Sequence, residues 1–234
     1  MKAKIGIIRG ASEKEVKSKK FNIYLGISLH NKWFTKNNMK ESILWGLKYT
    51  KKRFGLVIAD TLQAINYENK DKYSKKSAIK KALKEGEKIH EILKEILFEL
   101  PKQNRKKIDI IHWEDVKKDH FFKKTLNFSL EEFNKNGEFK KEIINITHNF
   151  IKSTGKENTS KEKLEKLSAY ILNELPELLH GFNYKNTYYN CCTYPYDNPL
   201  AKMVEEIQKK ELFPKFYNKL DIKKNVFVEL KVLK

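Results

Sequence analysis

Phe21-Asn22-Ile23-Tyr24-Leu25-Gly26-Ile27-Ser28-Leu29-His30-Asn31 decides how the rest of this chain is read. An apolar run of strand-forming residues ends in a glycine and, one step on, a serine. A polar pair follows, and a helical pattern covers Asn37–Tyr49. A strand that delivers a serine at its C-terminal end, ahead of a crossover helix, puts a hydroxyl in the crevice where open α/β sheets hold ligands. Gly26 removes a side chain beside that hydroxyl, so a substrate can approach the backbone closely. Taken alone, a Gly-x-Ser is more often a polar strand end with no chemistry, so other parts of the chain must carry the case.

Working outward, four further segments read as strands: Gly55–Ala59, Lys107–His112, Thr187–Thr193 and Val226–Val232. With Phe21–Ile27 they make five, and Ile5–Ile8 reads as a short extra strand. Their β-branched and aromatic content, without strict alternation, suits a parallel sheet buried on both faces. Helical patterns lie at Asn37–Tyr49, Ser74–Phe98, Trp113–Leu126, Leu130–Ile151, Lys161–Leu172 and Pro199–Lys210. Alternating strands and helices predict an α/β fold with right-handed crossovers. The long helical stretch from Trp113 to Leu179 adds a helical layer beside the sheet. Ser153–Ser160 reads as a loop, with Thr159 or Ser160 capping the next helix. No repeat or clean boundary divides residues 1–234, so one domain is expected.

The charge narrows the function. Forty-nine Lys and Arg stand against 30 Asp and Glu, a net +19. Even allowing for a lysine-rich coding bias, that balance favours RNA, DNA or an anionic membrane surface over a neutral metabolite alone. No run approaches the roughly 18 apolar residues of a membrane span, and the apolar part of Met1–Gly10 is too short for a secretory signal. The only cysteines are the adjacent Cys191 and Cys192, which excludes a disulfide framework and suits a reduced, cytoplasmic protein.

Several sites are set aside. His30 occupies the place of the second glycine of a hydrolase elbow around Ser28. There is no Gly-x-Gly-x-x-Gly and no Walker loop, so the usual backbone cradle for a nucleotide is missing. His30, His90, His112, His120, His148 and His180 show no metal-ligand spacing, and two adjacent cysteines make no tetrahedral site. Neither ATP nor a metal is expected. Lys72-Tyr73-Ser74-Lys75-Lys76 loosely echoes the lysine loop of class I aminoacyl-tRNA synthetases, but lies too early and has no His-x-Gly-His partner. It reads as a helix start.

In that helix Lys76, Lys80, Lys84 and Lys88 recur every four residues, with Lys81 beside them. Steps of four drift by only about 40°, so the ammonium groups form one slanting stripe. Ile79, Leu83, Ile89, Ile92, Leu93, Ile96 and Leu97 supply the expected buried side. Like charges at i,i+4 repel by a few tenths of a kcal/mol each, a cost that a polyanion would remove. A solvated surface helix is the plain alternative. No aromatic platform accompanies the stripe, so phosphate contact without base reading is the most it suggests.

Three stretches in register then point to a family. The first is Gly26-Ile27-Ser28-Leu29-His30-Asn31-Lys32-Trp33-Phe34, with Trp45 in the next helix and Val57-Ile58-Ala59-Asp60 at the end of the next strand. The second is Tyr170-Ile171-Leu172-Asn173-Glu174. The third is Cys192-Thr193-Tyr194-Pro195-Tyr196-Asp197-Asn198-Pro199. In order and spacing they resemble the cyclodipeptide synthases, aminoacyltransferases that join the aminoacyl groups of two aminoacyl-tRNAs into a 2,5-diketopiperazine. The resemblance covers nearly the whole chain. It implies a Rossmann-like sheet similar to the catalytic domain of class Ic synthetases, without ATP-dependent activation, and it makes the lysine stripe of Lys76, Lys80, Lys81, Lys84 and Lys88 the tRNA-facing helix.

By motif match Ser28 is then the nucleophile, acylated by the first aminoacyl-tRNA and extended by the second to a dipeptidyl ester. The dipeptide's own amine closes the ring and frees Ser28. Tyr170 and Glu174 match the pair that holds the substrate α-amino group. A phenol and a carboxylate four residues apart share a helix face and suit an ammonium ion. Tyr194 matches the tyrosine that assists cyclisation. Gly26 is expected to shape the first side-chain pocket, with Asn31 and Val57 as further candidates. Members divide roughly into those with Asn three after the serine and Tyr-His at the late motif, and those with another residue there and Tyr-Pro. This chain combines Asn31 with Tyr194-Pro195, which leaves the amino acids joined open. A monomer with two aminoacyl-tRNA substrates and no membrane partner is expected. The competing expectation is a non-catalytic tRNA- or RNA-binding α/β protein, and a third, an esterase, lacks its elbow glycine.

Overall fold

The computed structural model describes residues 2–70, 73–153 and 159–233. β1 (Ala3–Arg9) and α1 (Glu13–Lys17) precede β2 (Ile23–Ile27), α2 (Lys36–Tyr49), β3 (Phe54–Ile58), α3 (Asp60–Lys70) and α4 (Lys75–Phe98). α5 (Lys102–Arg105) and β4 (Ile108–His112) lead into four helices: α6 (Trp113–Val116), α7 (His120–Lys135), α8 (Gly137–Ser153) and α9 (Lys161–His180). A hairpin of β5 (Phe182–Tyr184) and β6 (Thr187–Tyr189) follows. After it come β7 (Cys191–Tyr194), α10 (Pro199–Gln208), α11 (Pro214–Lys219) and β8 (Val226–Val232).

The main sheet has the order β1-β8-β7-β2-β3-β4. β8, β7, β2, β3 and β4 run parallel, and β1 lies antiparallel on β8. A mostly parallel five-stranded sheet was expected, with Ile5–Ile8 as a short extra strand; among the described residues that segment lies in β1, which makes a sixth, antiparallel edge. From β2 the chain winds outward through β3 and β4, then returns to lay β7 and β8 on the other side of β2. The crevice between the C-terminal ends of β2 and β7 is therefore the topological switch point, where open α/β sheets take their ligands.

Strand alternation divides the core in two. Ile23, Leu25, Ile27 and Cys191 face a layer with Val16, Met39, Ile43, Trp45, Leu93 and Ile96. Tyr24, Val57 and Cys192 face the opposite layer, which packs Leu62, Phe122, Phe139, Leu172 and Leu175 from α3 and the helices beyond β4. Sheet and two helical layers make the expected Rossmann-like, three-layer architecture.

Several boundaries differ from expectation, mostly where a polar side chain caps a helix. The expected Trp113–Leu126 helix breaks at Asp119, whose Oδ1 accepts from Phe121 N at 2.7 Å and Phe122 N at 3.2 Å. The expected Leu130–Ile151 helix breaks at Asn136, whose Oδ1 accepts from Glu138 N at 3.1 Å and Phe139 N at 3.2 Å. Both act as caps that restart the backbone ladder. α9 runs on past Leu172 through Pro176 to His180, so Tyr170 and Glu174 sit inside a long helix rather than near its end. It stops at Gly181, whose φ of +69° needs a residue without a side chain. Thr187–Thr193 is two strands, broken at Asn190. β6 pairs only with β5, and β7 enters the main sheet.

α3 was not foreseen, because Asp60–Lys70 has little apolar periodicity. It crosses α4 over small residues, Ala78, Ala82 and Gly86. A Cβ on Gly86 would stand 2.6 Å from the Asp60 Cβ, so glycine allows this close approach. For the same reason Ile79 and Leu83, expected on the buried side, are exposed: α3 covers the small-residue face, not theirs. Ser74 caps α4 by accepting from Ser77 N at 3.3 Å, in line with a helix start there. Residues 154–158 of the expected loop, and Lys72, lie outside the described residues.

Candidate active site

Ser28 follows directly on β2, and Tyr194 ends β7, its neighbour. The register pairs Leu25 with Thr193, which brings the two following segments side by side. The Ser28 Oγ and Tyr194 hydroxyls are 3.0 Å apart. Asn31 Nδ2 donates to the Tyr194 hydroxyl oxygen at 3.1 Å, and its Oδ1 accepts from Trp33 N at 3.0 Å, which fixes the amide. Between them His30 takes a positive φ of 64°, turning the chain so that Asn31 folds back over the strand end.

Tyr170 and Glu174 reach the same place from α9. The Tyr170 ring is buried, stacked on Phe150 at 6.1 Å. Burial, helped by Glu174 and Tyr194 and opposed by Ser28, holds its phenol well above the ordinary range. The Glu174 residue keeps some solvent contact, yet its carboxyl end is enclosed, and desolvation raises it to about 7. Burial also raises Tyr194, against the pull of Ser28 and Asn31. A hydroxyl, two neutral phenols and a carboxyl near half-ionisation at neutral pH thus surround one point. Perturbed groups gathered at a switch point mark a functional site.

Gly26 and Val57 pair across β2 and β3. A Cβ on Gly26 would meet Tyr194 Cδ2 at 3.8 Å and Cys192 Sγ at 3.9 Å, which is ordinary contact. The glycine is therefore not forced by the protein, and its gap lies directly beside Tyr194. Val57 is buried in the core layer that also holds Tyr170. Lys76, Lys80, Lys84 and Lys88 are exposed along α4. Lys81 departs from the stripe: its ammonium lies over the Tyr67 ring at 4.2 Å and the Tyr73 ring at 4.6 Å.

Three features escaped the sequence. Glu177, one turn beyond Glu174, is buried and raised to about 8 by desolvation, with Tyr24 and Cys192 holding it back in part. Its signal was an acid inside the apolar run Leu175–Leu179. Arg9 on β1 holds Asp197, three residues past Tyr194, through Nε at 3.0 Å and Nη2 at 2.7 Å and 2.9 Å, and reaches Glu205 at 3.2 Å. Glu87, His90 and His112 come together with ligating atoms within 4.8 Å of one another. Spacing along the chain had hidden that cluster.

Comparison with known proteins follows the same lines. A sequence profile of the cyclodipeptide synthase family matches residues 11–212. A search of curated protein sequences gives no match. Among solved structures, a cyclodipeptide synthase from Staphylococcus haemolyticus superposes with a TM-score of 0.75 at 20% identity, covering 100% of both chains. One from Bacillus thermoamylovorans gives 0.74 at 23%, covering 95% of this chain and 93% of its own. One from Candidatus Glomeribacter gigasporarum, bound to Phe-tRNAPhe, gives 0.60 at 20%, covering 94% and 90%. At such identities the structures speak for the fold alone, but the profile spans most of the sequence: the chain belongs to the cyclodipeptide synthase family.

Proposed function

We propose that this protein joins the aminoacyl groups of two aminoacyl-tRNAs into a cyclic dipeptide through esters on Ser28. The observation that carries the reading is the meeting of Ser28 Oγ with the Tyr194 hydroxyl at 3.0 Å beside Tyr170 and Glu174. Ser28 Oγ attacks the ester carbonyl of the first aminoacyl-tRNA. The bond to the tRNA ribose oxygen breaks, and the serine proton leaves with the tRNA hydroxyl. The substrate is already an activated ester, so acylation needs no strong dedicated base, and neither ATP nor a metal takes part.

Glu174 and Tyr170 hold the amino group of the serine-bound residue. Glu174, near half-ionised at neutral pH, accepts its proton as the amine attacks the second aminoacyl-tRNA ester. The second tRNA departs, leaving a dipeptidyl ester on Ser28. The new terminal amine then attacks that ester, closes the six-membered ring and returns the proton to Ser28 through the Tyr194 phenol. The exposed Lys76, Lys80, Lys84 and Lys88 receive tRNA phosphates, and the protein acts as a monomer in the cytoplasm. A relative of similar fold bound to Phe-tRNAPhe supports aminoacyl-tRNA as the substrate class.

The test is mass spectrometry of medium from bacteria producing this protein, beside a Ser28→Ala control. A diketopiperazine made only by the wild type is expected, and it names both amino acids. Product that persists with Ser28→Ala overturns the serine ester route. A second reading, an RNA-binding protein without catalysis, is motivated by the +19 charge. It predicts equal affinity for charged and uncharged tRNA and no aminoacyl transfer to the protein.

A further inference from the structure

Four residues that this chemistry leaves unused meet beyond the C-terminal ends of β3 and β4. Asp60 opens α3, His112 ends β4, and Glu87 and His90 lie one turn apart on α4. The Asp60 carboxyl is fully buried. Its Oδ1 accepts from Thr61 N at 2.7 Å and Trp113 N at 3.2 Å, and its Oδ2 accepts from His112 Nδ1 at 2.6 Å. That last bond fixes the His112 tautomer: the proton sits on Nδ1 and the lone pair on Nε2. Nε2 in turn faces His90 Nδ1 at 2.8 Å, and the Glu87 carboxylate comes within 4.8 Å of both rings' ligating atoms.

We infer that Glu87, His90 and His112 form a binding site for a divalent transition metal of the zinc class, with Asp60 orienting His112 from behind. A ligating imidazole whose other nitrogen donates to a buried carboxylate is the usual arrangement behind such metals. Two imidazoles and one carboxylate suit zinc, nickel or cobalt rather than magnesium or calcium, which prefer all-oxygen shells. Three protein ligands leave a fourth position for water. Nitrogens on one tetrahedral zinc stand about 3.3 Å apart for bonds of about 2.0–2.1 Å, so the rings must separate by about half an ångström and tilt from their hydrogen bond. His90, half-buried at the surface of α4, is the ring placed to turn. The bound cation joins α4 to β4 and, through Asp60, to α3. Its role is to fasten the lysine-bearing helix to the sheet, and it takes no part in the ester chemistry.

The test uses the full chain without a histidine tag, stripped with a chelator, desalted and titrated calorimetrically with zinc sulfate at neutral pH. One equivalent is expected to bind. Binding is lost in His90→Gln and in Glu87→Gln/His112→Gln, and weakens about 10–100-fold in Asp60→Asn. Thermal stability of the wild type rises with zinc and that of His90→Gln does not. Circular dichroism of each variant checks its fold, and His90→Gln, at the surface, keeps the test decisive if buried-site variants unfold. No saturable binding by the wild type, or binding undiminished in His90→Gln, overturns the site and leaves the two histidines as a hydrogen-bonded pair only. The readout involves no product formation, so it stands or falls apart from the proposed activity.

Discussion

The Ser28 and Tyr194 hydroxyls stand 3.0 Å apart across two neighbouring parallel strands whose chain positions are 166 residues apart. Asn31 Nδ2 donates to the Tyr194 oxygen, which leaves the phenol proton free to turn towards the serine. Burial keeps that phenol protonated at neutral pH, so Tyr194 passes a proton and does not act as a standing base. Tyr194→Phe removes the relay while keeping the ring, and should slow product release from Ser28 by about 10²-fold or more. Single-turnover experiments with radiolabelled aminoacyl-tRNA check this: the labelled enzyme ester should still form and then accumulate. Equal turnover by Tyr194→Phe would remove the phenol from the chemistry.

Glu174 must carry charge to hold an ammonium and must lose its proton before accepting another. With its carboxyl raised to about 7, the rate of dipeptide formation should fall as pH drops through 7. Glu174→Gln should lower the rate and flatten that limb of the profile. A profile for Glu174→Gln that still bends near 7 would assign the titration to another group.

Glu177 carries a consequence for stability. Its carboxyl rises from the ordinary 4.5 to about 8 on folding, so between these values the folded state binds more protons than the unfolded one. Stability therefore falls as pH rises through that window. The penalty is absent below about 4.5 and complete above about 8. Glu177→Gln should raise the melting temperature more at about pH 9 than at about pH 5. Calorimetric scans at the two values decide it; an equal shift at both would mean that packing, not charge, sets the effect.

Four exposed lysines on α4 contacting phosphates should give tRNA binding a log–log salt slope of about −3 to −4. Replacing Lys76, Lys80, Lys84 and Lys88 together with alanine should flatten it by that amount. Lys81→Ala should change the slope little and instead loosen the contact of α4 with Tyr67 and Tyr73, on whose rings its ammonium rests. Filter binding across a salt series separates the two effects.

Much of this was legible along the chain, and the failures share a cause. β2 and β3 were visible because strands buried on both faces are apolar throughout, and β4 and β8 because branched and aromatic residues dominate them. Ser28, Tyr170 and Tyr194 could be singled out along the chain because their motifs are local, and the fold brings them to one place. Asp119 and Asn136 were missed as caps because each lies within a helical pattern that is broken only where its own side chain takes the backbone amides. The exposed Ile79 and Leu83 were misplaced because periodicity says that a helix has a buried face but not which neighbour covers it. Glu87 and His90 lie one turn apart on α4, but Asp60 and His112 share no local spacing with them or with each other. Only the strand order β2-β3-β4, with α4 crossing beside it, brings them together.

Cys191 and Cys192 are adjacent in β7, yet the pleat sends them into opposite core layers. Both thiols are buried, and desolvation raises both, so neither reacts while its layer stays closed. The molecule thus carries one silent reporter on each side of its sheet. Cys191→Ser leaves only the Cys192 thiol, which watches the layer that holds Tyr170, and Cys192→Ser leaves only the Cys191 thiol, which watches the layer beneath α2. The rate at which each single thiol becomes available to a labelling reagent measures how often that side opens, one face at a time.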